Sequence, residues 1–223
     1  MMNRSAIKSN NFLRAWGIRY REWRSKKSFT TGTNNKVVNK GIRINTRIQI
    51  AGDNNIIEVA EKAVLINCLI KISGDNCKVS IGEDAYLEGA ELWIEDNENS
   101  ITVGPRTYIG HHTHIACTEN KKKIDIGGDS MISSYVQIRS GDSHSILDSE
   151  GKRINLAGDV KLEEHCWIGQ GATLLKGTAI DKDSVVATKA VVSGRFPSNV
   201  LIAGIPAKII KTDINWSDKR IND

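Results

Sequence analysis

The sequence predicts an all-β solenoid, and three observations support this fold class. Aliphatic residues recur every six positions in the C-terminal half, where consecutive units cover residues 168–173, 174–179, 180–185 and 186–191. A six-residue period fits neither a helix of 3.6 residues per turn nor a two-residue strand alternation. Hydrophobic residues make up 39% of the chain but aromatic residues only 5%, as expected for short strands that pack Val, Ile and Ala inward. Such repeats are typical of solenoids in which each unit is one short strand and a corner.

A longer repeat runs through the first half of the chain. Val37, Val59, Ile81 and Val103 are spaced by 22 residues, and Ile126 follows after 23. Polar corners recur in the same phase and are rich in Gly, Asp and Asn, which tolerate the positive φ angles that tight corners need. Three hexads account for about 18 residues of each repeat. We therefore expect coils of three strands, with a four-residue extension at one corner.

Two segments interrupt the repeat. Residues 139–155 have no aliphatic period and are rich in Gly, Ser, Asp and charge, which predicts a loop extruded from the solenoid. Loops carried by a rigid scaffold often hold functional residues. The prolines at 197 and 206 end the strands. The predicted organisation is a basic helical cap over 1–36, a β-helix over 37–195 and a C-terminal tail over 196–223.

The N-terminus carries the positive charge of the chain. Residues 1–47 contain twelve Lys and Arg and one acid, whereas the remainder contains nineteen Lys and Arg and twenty-five acids. Residues 10–27 predict an amphipathic helix, with Leu13, Trp16, Tyr20 and Trp23 on one face. This apolar stripe either caps the open end of the solenoid or contacts a membrane surface or a polyanion.

The four cysteines show no CxxC pair, and no signal peptide or long apolar run is visible. We therefore expect free, buried thiols and a cytoplasmic protein, with the inner face of the membrane as one location.

Two motifs carry a resemblance to a known family. The run His165-Cys-Trp-Ile-Gly-Gln-Gly-Ala and the ending Ala203-Gly-Ile-Pro-Ala-Lys208 resemble those of the hexapeptide-repeat acyltransferases. This resemblance implies a left-handed parallel β-helix of triangular section, a homotrimer, and acetyl-CoA bound between neighbouring prisms. The segment Ser133 to Ile146, followed by Trp167, is similar to the bacterial polysaccharide and polysialic acid O-acetyltransferases. It implies an enzyme that acetylates a surface glycan, with no nucleic-acid partner.

The resemblance places the catalytic pair at His144 of the loop and Trp167 of the WIG motif. A sugar hydroxyl is a poor nucleophile, and a histidine with a pKa near 6.5 is suited to remove its proton as it attacks the thioester. We expect Trp167 to hold the acceptor sugar by stacking or to donate a hydrogen bond near the thioester. Asp142 is the carboxylate available to fix the His144 tautomer.

Acetyl-CoA needs a polar strand edge and cations for its phosphates. We expect the edge at Gln170, Gly171 and Thr188, on consecutive coils. The resemblance implies that the nucleotide binds at the end where Lys208 and Lys211 lie, so we expect these two lysines to contact the phosphates. The family often has Thr-Lys-Asp shortly before a proline, whereas this chain has Ser193-Gly194-Arg195 before Pro197. The usual lysine is therefore missing, and Arg195 is the candidate replacement for it.

Three histidines, His111, His112 and His114, invite a zinc interpretation, but three histidines on one turn do not all face one ion, and no metal is expected. Two other functions remain open: acetylation of an amino sugar or an antibiotic, and a non-catalytic solenoid that binds a partner.

Overall fold

The computed structural model describes residues 27–221 as three parallel sheets wound into one β-helix. Sheet 1 stacks β1 (Phe29–Thr31), β4 (Arg47–Ala51), β7 (Leu69–Ser73), β10 (Glu91–Glu95), β13 (His114–Cys117), β16 (Gln137–Arg139), β19 (Thr173–Leu174) and β22 (Val191–Val192). Sheet 2 stacks β2 (Lys36–Asn39), β5 (Ile56–Val59), β8 (Lys78–Ile81), β11 (Ser100–Val103), β14 (Lys123–Ile126), β17 (Val160–Leu162), β20 (Ala179–Ile180) and β23 (Arg195–Phe196). Sheet 3 stacks β3 (Ile42–Ile44), β6 (Val64–Ile66), β9 (Tyr86–Glu88), β12 (Tyr108–Ile109), β15 (Met131–Ile132), β18 (Trp167–Ile168), β21 (Val185–Val186), β24 (Leu201–Gly204) and β25 (Ala207–Lys211).

Each coil contributes one strand to each sheet, and the chain turns at three corners, named here the 1–2, 2–3 and 3–1 corners after the sheets they join. All strand pairs are parallel except β24 with β25, which closes the C-terminal end of sheet 3 as an antiparallel pair. The predicted fold class, a left-handed parallel β-helix, is confirmed.

The hexads coincide with the short strands of the last coils. Strands begin at residues 167, 173, 179, 185 and 191, and the aliphatic residue that follows each start points inward and is buried. Stacking in register aligns these inward residues into columns. One column crosses seven strands of sheet 1 and consists of Ile48, Ile70, Leu92, Ile115, Ile138, Leu174 and Val192. Burying each such side chain contributes about 1.5–3 kcal/mol, so the columns hold the prism together.

The 22-residue repeat holds from Val59 onward, where Val59 pairs with Ile81 and Ile81 with Val103. The first coil departs from the prediction, because Val37 lies opposite Ile57 and not Val59. The 2–3 corner is two residues shorter in this coil, where residues 40–41 connect β2 to β3 and residues 60–63 connect β5 to β6. Gly41 allows the shortcut, since a Cβ there would lie 2.4 Å from the Ala63 carbonyl oxygen.

The described strands extend beyond the predicted solenoid limits of 37 and 195. β1 begins at Phe29 and pairs with β4, and β24 stacks on β21 at the other end. The chain leaves the stack after Arg139 and returns at Val160, so the extruded loop covers 140–159 and ends four residues later than predicted. The predicted helix over 10–27 lies outside the described residues except for Lys27, and its role stays a prediction. Residues 27–221 contain no helix long and apolar enough to cross a membrane.

Candidate functional site

The extruded loop leaves from the 1–2 corner and is fastened at its base by Asn155. This side chain is 7% exposed. Its amide nitrogen donates to the Asp142 carboxylate and to the His144 carbonyl oxygen, both at 2.8 Å. Its amide oxygen accepts from the Ile146 backbone N–H at 2.7 Å and from Arg153 Nε at 3.1 Å. One asparagine therefore satisfies four groups on both arms of the loop and fixes the backbone that carries His144.

Two ion pairs tie the loop to neighbouring corners. Lys176, in the coil that follows the loop, donates to Asp142 and to the Asn155 carbonyl oxygen. Arg153 forms a forked pair with Glu119 in the preceding coil. Hydrogen bonds from Lys176 and then Asn155 hold the pKa of the Asp142 carboxyl below its usual value. Both arms of the loop base are thus fixed from above and below.

The predicted base, His144, lies within this anchored segment, and its side chain is exposed. Its backbone is fixed by Asn155, and the flanking residues Ser143 and Ser145 are small and polar. The Asp142 carboxylate bonds Lys176 and Asn155, and among the described contacts none joins it to the His144 imidazole. In this chain Asp142 holds the loop, which differs from the tautomer-fixing contact expected from the sequence.

Trp167 lies on the outer face of sheet 3. It is the first residue of β18, stands in register between Met131 and Val185, and is 39% exposed. Its indole Nε1 lies 3.4 Å from Ser133 Oγ, to which it donates. The next residue, Ile168, points inward, so the strand alternation directs the indole outward.

The predicted strand-edge residues lie across the same sheet from Trp167. Gln170 and Gly171 form the 3–1 corner after β18, and Thr188 occupies the same corner one coil further. The two coils are joined there, because the Lys189 N–H donates to the Gln170 carbonyl oxygen at 3.0 Å. A Cβ at Gly169 would lie 2.6 Å from the Thr188 nitrogen, so only glycine lets the corners approach this closely.

The two predicted phosphate partners also belong to sheet 3. Lys208 and Lys211 lie on β25, where Lys211 stands opposite Leu201. Leu201 continues the column that passes through Trp167 and Val185. Lys211 is therefore three strand positions from Trp167, or about 14 Å along the prism.

The remaining predicted residues lie elsewhere in the same chain. Ser193 is at the 1–2 corner and Arg195 begins β23 of sheet 2, two coils beyond the extruded loop. The ten predicted residues thus form two groups. The sheet 3 half comprises Trp167, Gln170, Gly171, Thr188, Lys208 and Lys211, and the loop half comprises Asp142, His144, Ser193 and Arg195. Sheet 2 separates the extruded loop, which carries His144, from Trp167, so one chain does not bring the predicted catalytic pair together.

Three residues beside Trp167 were not singled out from the sequence. Trp216 of the C-terminal tail stacks on the His165 imidazole, with ring centroids 4.4 Å apart and planes 11° apart, and donates its Nε1 hydrogen to the His165 carbonyl oxygen at 2.8 Å. His165 Nδ1 lies 2.8 Å from Asp183 Oδ1. The Trp216 ring is 5.9 Å from the Trp167 ring. His165 opens the HxW motif but received no role from it, and nothing in the aperiodic tail pointed to Trp216.

The three clustered histidines make separate contacts. His111 faces Glu88 at 3.4 Å, His112 stacks on Tyr135, and His114 packs edge-on against Trp93. Burial lowers the pKa of His114. Within residues 27–221 no group of three or more His, Cys, Asp or Glu side chains is arranged to hold a metal ion.

The four cysteines are buried and free, as expected from the sequence. Burial raises the pKa of each thiol, and for Cys117 and Cys166 the pKa reaches about 12. Such thiols are not nucleophiles at neutral pH.

The chain is similar to proteins that are named as acetyltransferases. It is 33% identical over 117 residues to a polysialic acid O-acetyltransferase of Escherichia coli O1:K1, a match covering 50% of this chain and 38% of the relative. It is 34% identical over 112 residues to the putative lipopolysaccharide biosynthesis O-acetyl transferase WbbJ of Escherichia coli K12, covering 46% of this chain and 56% of the relative. The matched segment therefore spans less than two thirds of these curated relatives.

A solved structure extends the likeness to nearly the whole fold. The polysialic acid O-acetyltransferase OatWY superposes with a TM-score of 0.82 and 31% identity, covering 86% of this chain and 92% of that structure. No family profile matches the chain.

Proposed function

The chain belongs to the hexapeptide-repeat O-acetyltransferases, and from this premise we propose that it transfers an acetyl group from acetyl-CoA to a hydroxyl of a bacterial surface polysaccharide or its precursor. The observation that carries the proposal is the outer face of sheet 3. The exposed indole of Trp167 lies at one margin of this face. The polar corner that begins at Gly169 and includes Gln170, three residues after Trp167, lies at the other margin, where Gly169 allows close contact with Thr188.

The donor side of the proposal rests on the 3–1 corner and on β25. Gln170, Gly171 and Thr188 offer backbone polar groups to the amides of the pantetheine arm. Lys208 and Lys211 lie further along the same sheet and supply cations for the phosphates. The separation of about 14 Å between Trp167 and Lys211 suits a long donor laid along the prism axis, with its thioester near the indole.

The chemistry assigned to His144 is general base catalysis. The imidazole accepts the proton of the sugar hydroxyl as its oxygen attacks the thioester carbonyl carbon. The tetrahedral intermediate collapses with cleavage of the carbon–sulfur bond. The imidazolium then donates its proton to the departing CoA thiolate, which restores the neutral imidazole. The base contributes about 10²–10⁴-fold to the rate. Trp167 positions the acceptor, and Asp142 positions His144 by holding the loop.

The division into two halves requires a second copy of the chain, which we propose to be part of a homotrimer. His144 at the 1–2 corner of one copy then meets the sheet 3 half of its neighbour, giving one site at each interface. The loop supports this assembly, because it exposes four large aliphatic side chains that a partner would cover: Ile146 at 56%, Leu147 at 55%, Ile154 at 60% and Leu156 at 69%.

The test incubates the purified protein with acetyl-CoA and a panel of bacterial glycans while release of free CoA thiol is followed. The wild-type protein should release thiol only with its acceptor glycan, and His144→Ala should lower that rate by at least 100-fold with the trimer mass unchanged. If His144→Ala keeps the wild-type rate, the base assignment is wrong. If no glycan stimulates release, the polysaccharide proposal is wrong, and amino sugars and antibiotics are tried next.

A further inference from the structure

A cavity of about 390 Å³ lies at the 2–3 corner, next to Trp167 but outside the residues assigned above. Its lining includes Tyr108 and Met131 on sheet 3, the Arg106–Asp129 pair, and Trp216 and Asp218 from the C-terminal tail. The volume falls within the range of small-ligand sites.

The cavity continues directly from the proposed acceptor position. Tyr108, Met131 and Trp167 stand opposite one another on successive strands of sheet 3. Tyr86 extends the row and stacks on Tyr108, with ring centroids 6.0 Å apart. Successive strands are about 4.8 Å apart, so a sugar on Tyr108 would sit about 10 Å from one on Trp167. That separation is about twice the length of one sugar unit in an extended glycan, so the two rings suit units of one chain that are separated by one intervening unit.

The C-terminal tail forms the outer wall of the cavity. Ile214 exchanges backbone and side-chain hydrogen bonds with Asn199, both at 3.1 Å. Trp216 is fixed by its stack on His165 and by its hydrogen bond to the His165 carbonyl oxygen. His165 is in turn held by Asp183. A tail held at these points presents a fixed aromatic wall opposite Tyr108.

The charges of the cavity select among glycans. Its lining contains one arginine and two carboxylates, and Arg106 already forms a forked pair with Asp129 at 2.6 Å for both bonds. That pair lowers the pKa of the Asp129 carboxyl, which stays ionised. An anionic sugar would add a negative charge beside two carboxylates. A neutral sugar instead offers C–H faces to the two aromatic rings and hydroxyl groups to the charged pair.

We propose that this cavity is an acceptor subsite that binds a neutral sugar unit two positions along the glycan from the one being acetylated. The inference rests on the proposed function and deepens it: the acceptor is a polymer or oligomer with uncharged units at this position, and polysialic acid is disfavoured. Trp216 and Tyr108 are its specificity-determining residues.

The test compares wild type with Trp216→Ala, Tyr108→Leu and the control Trp93→Phe, whose site lies on the outer face of sheet 1. The acceptors are a neutral O-antigen polysaccharide, the single monosaccharide that is acetylated in it, and polysialic acid. We expect the first two variants to raise the KM for the polysaccharide about tenfold, equivalent to about 1.4 kcal/mol. Their kcat, their KM for acetyl-CoA and their KM for the monosaccharide should stay unchanged, and Trp93→Phe should match wild type throughout.

Trp216→Ala could also release the C-terminal tail. Tyr108→Leu tests the subsite without that effect, because Tyr108 belongs to a strand of the solenoid. An unchanged polysaccharide KM in both variants, or a wild-type preference for polysialic acid, would overturn the subsite. If wild type acetylates no glycan, the proposed function fails, and calorimetric titration with the neutral polysaccharide decides the subsite separately. Binding that Trp216→Ala abolishes supports it, and no binding by wild type overturns it.

Discussion

Replacing Asn155 with alanine removes all four hydrogen bonds that close the base of the extruded loop. Each bond contributes about 1 kcal/mol net, so the loop should lose about 2–4 kcal/mol of local ordering free energy. The solenoid does not depend on these bonds, because its strands pair with one another. We therefore expect rapid amide exchange over 140–159 with little change in the thermal unfolding midpoint. The kcat should fall at least tenfold, since the backbone that carries His144 is released.

Hydrogen exchange followed by mass spectrometry measures the loop, and thiol release measures kcat on the same preparation. Asn155→Asp is the matched variant. It keeps the two acceptor contacts, to Ile146 and Arg153, but places a second carboxylate beside Asp142, so its loop protection should lie between those of wild type and Asn155→Ala. Unchanged loop protection in Asn155→Ala, or a loosened loop with wild-type kcat, would refute the role of this residue.

Three further outcomes follow from the structure. The four cysteines should be inert to a disulfide reagent at pH 8 in the native protein and all react after denaturation, because burial raises every thiol pKa. The Asp142 pKa lies below its unfolded value, so its support of the loop is fully present above about pH 4 and disappears as pH falls through the lowered pKa. Exchange over 140–159 should be constant from pH 7 to about pH 5, once corrected for intrinsic rates, and accelerate below pH 4. Gly169→Ala should cost about 1–3 kcal/mol of stability, measured by urea unfolding, and raise the KM for acetyl-CoA, since its Cβ would meet Thr188 at 2.6 Å.

The solenoid was predictable because its signal is local. The six-residue period predicts which residue of each unit points inward. The residues that it predicts to point inward, among them Ile168, Leu174 and Ile180, are buried. The register of the first coil was not predictable from the period. This register depends on a two-residue corner that Gly41 makes possible. Val37 lies 22 residues before Val59 in the sequence, but it pairs with Ile57 in the structure.

The sequence offers the candidate residues singly, but it does not show their division into two halves. Motif matching assigns His144 and Trp167 to one reaction, whereas only the stacking order shows that they occupy different sides of the prism. The contacts of Trp216 and Asn155 follow no repeat, since Asn155 joins the two arms of the aperiodic loop and Trp216 belongs to the aperiodic tail. Trp216 bonds a carbonyl group 51 residues away, which no local pattern encodes.

The most direct test of the account is subunit complementation between His144→Ala and Trp167→Ala. Each variant alone should be inactive, because every interface lacks one half of the site. When the two are unfolded together and refolded as mixed trimers, an interface is intact if one neighbour supplies His144 and the other Trp167. Random mixing predicts recovery of roughly a quarter of wild-type activity, since each requirement is met half the time. Recovery near that value supports a site shared between copies, and mixed trimers with no activity would contradict it.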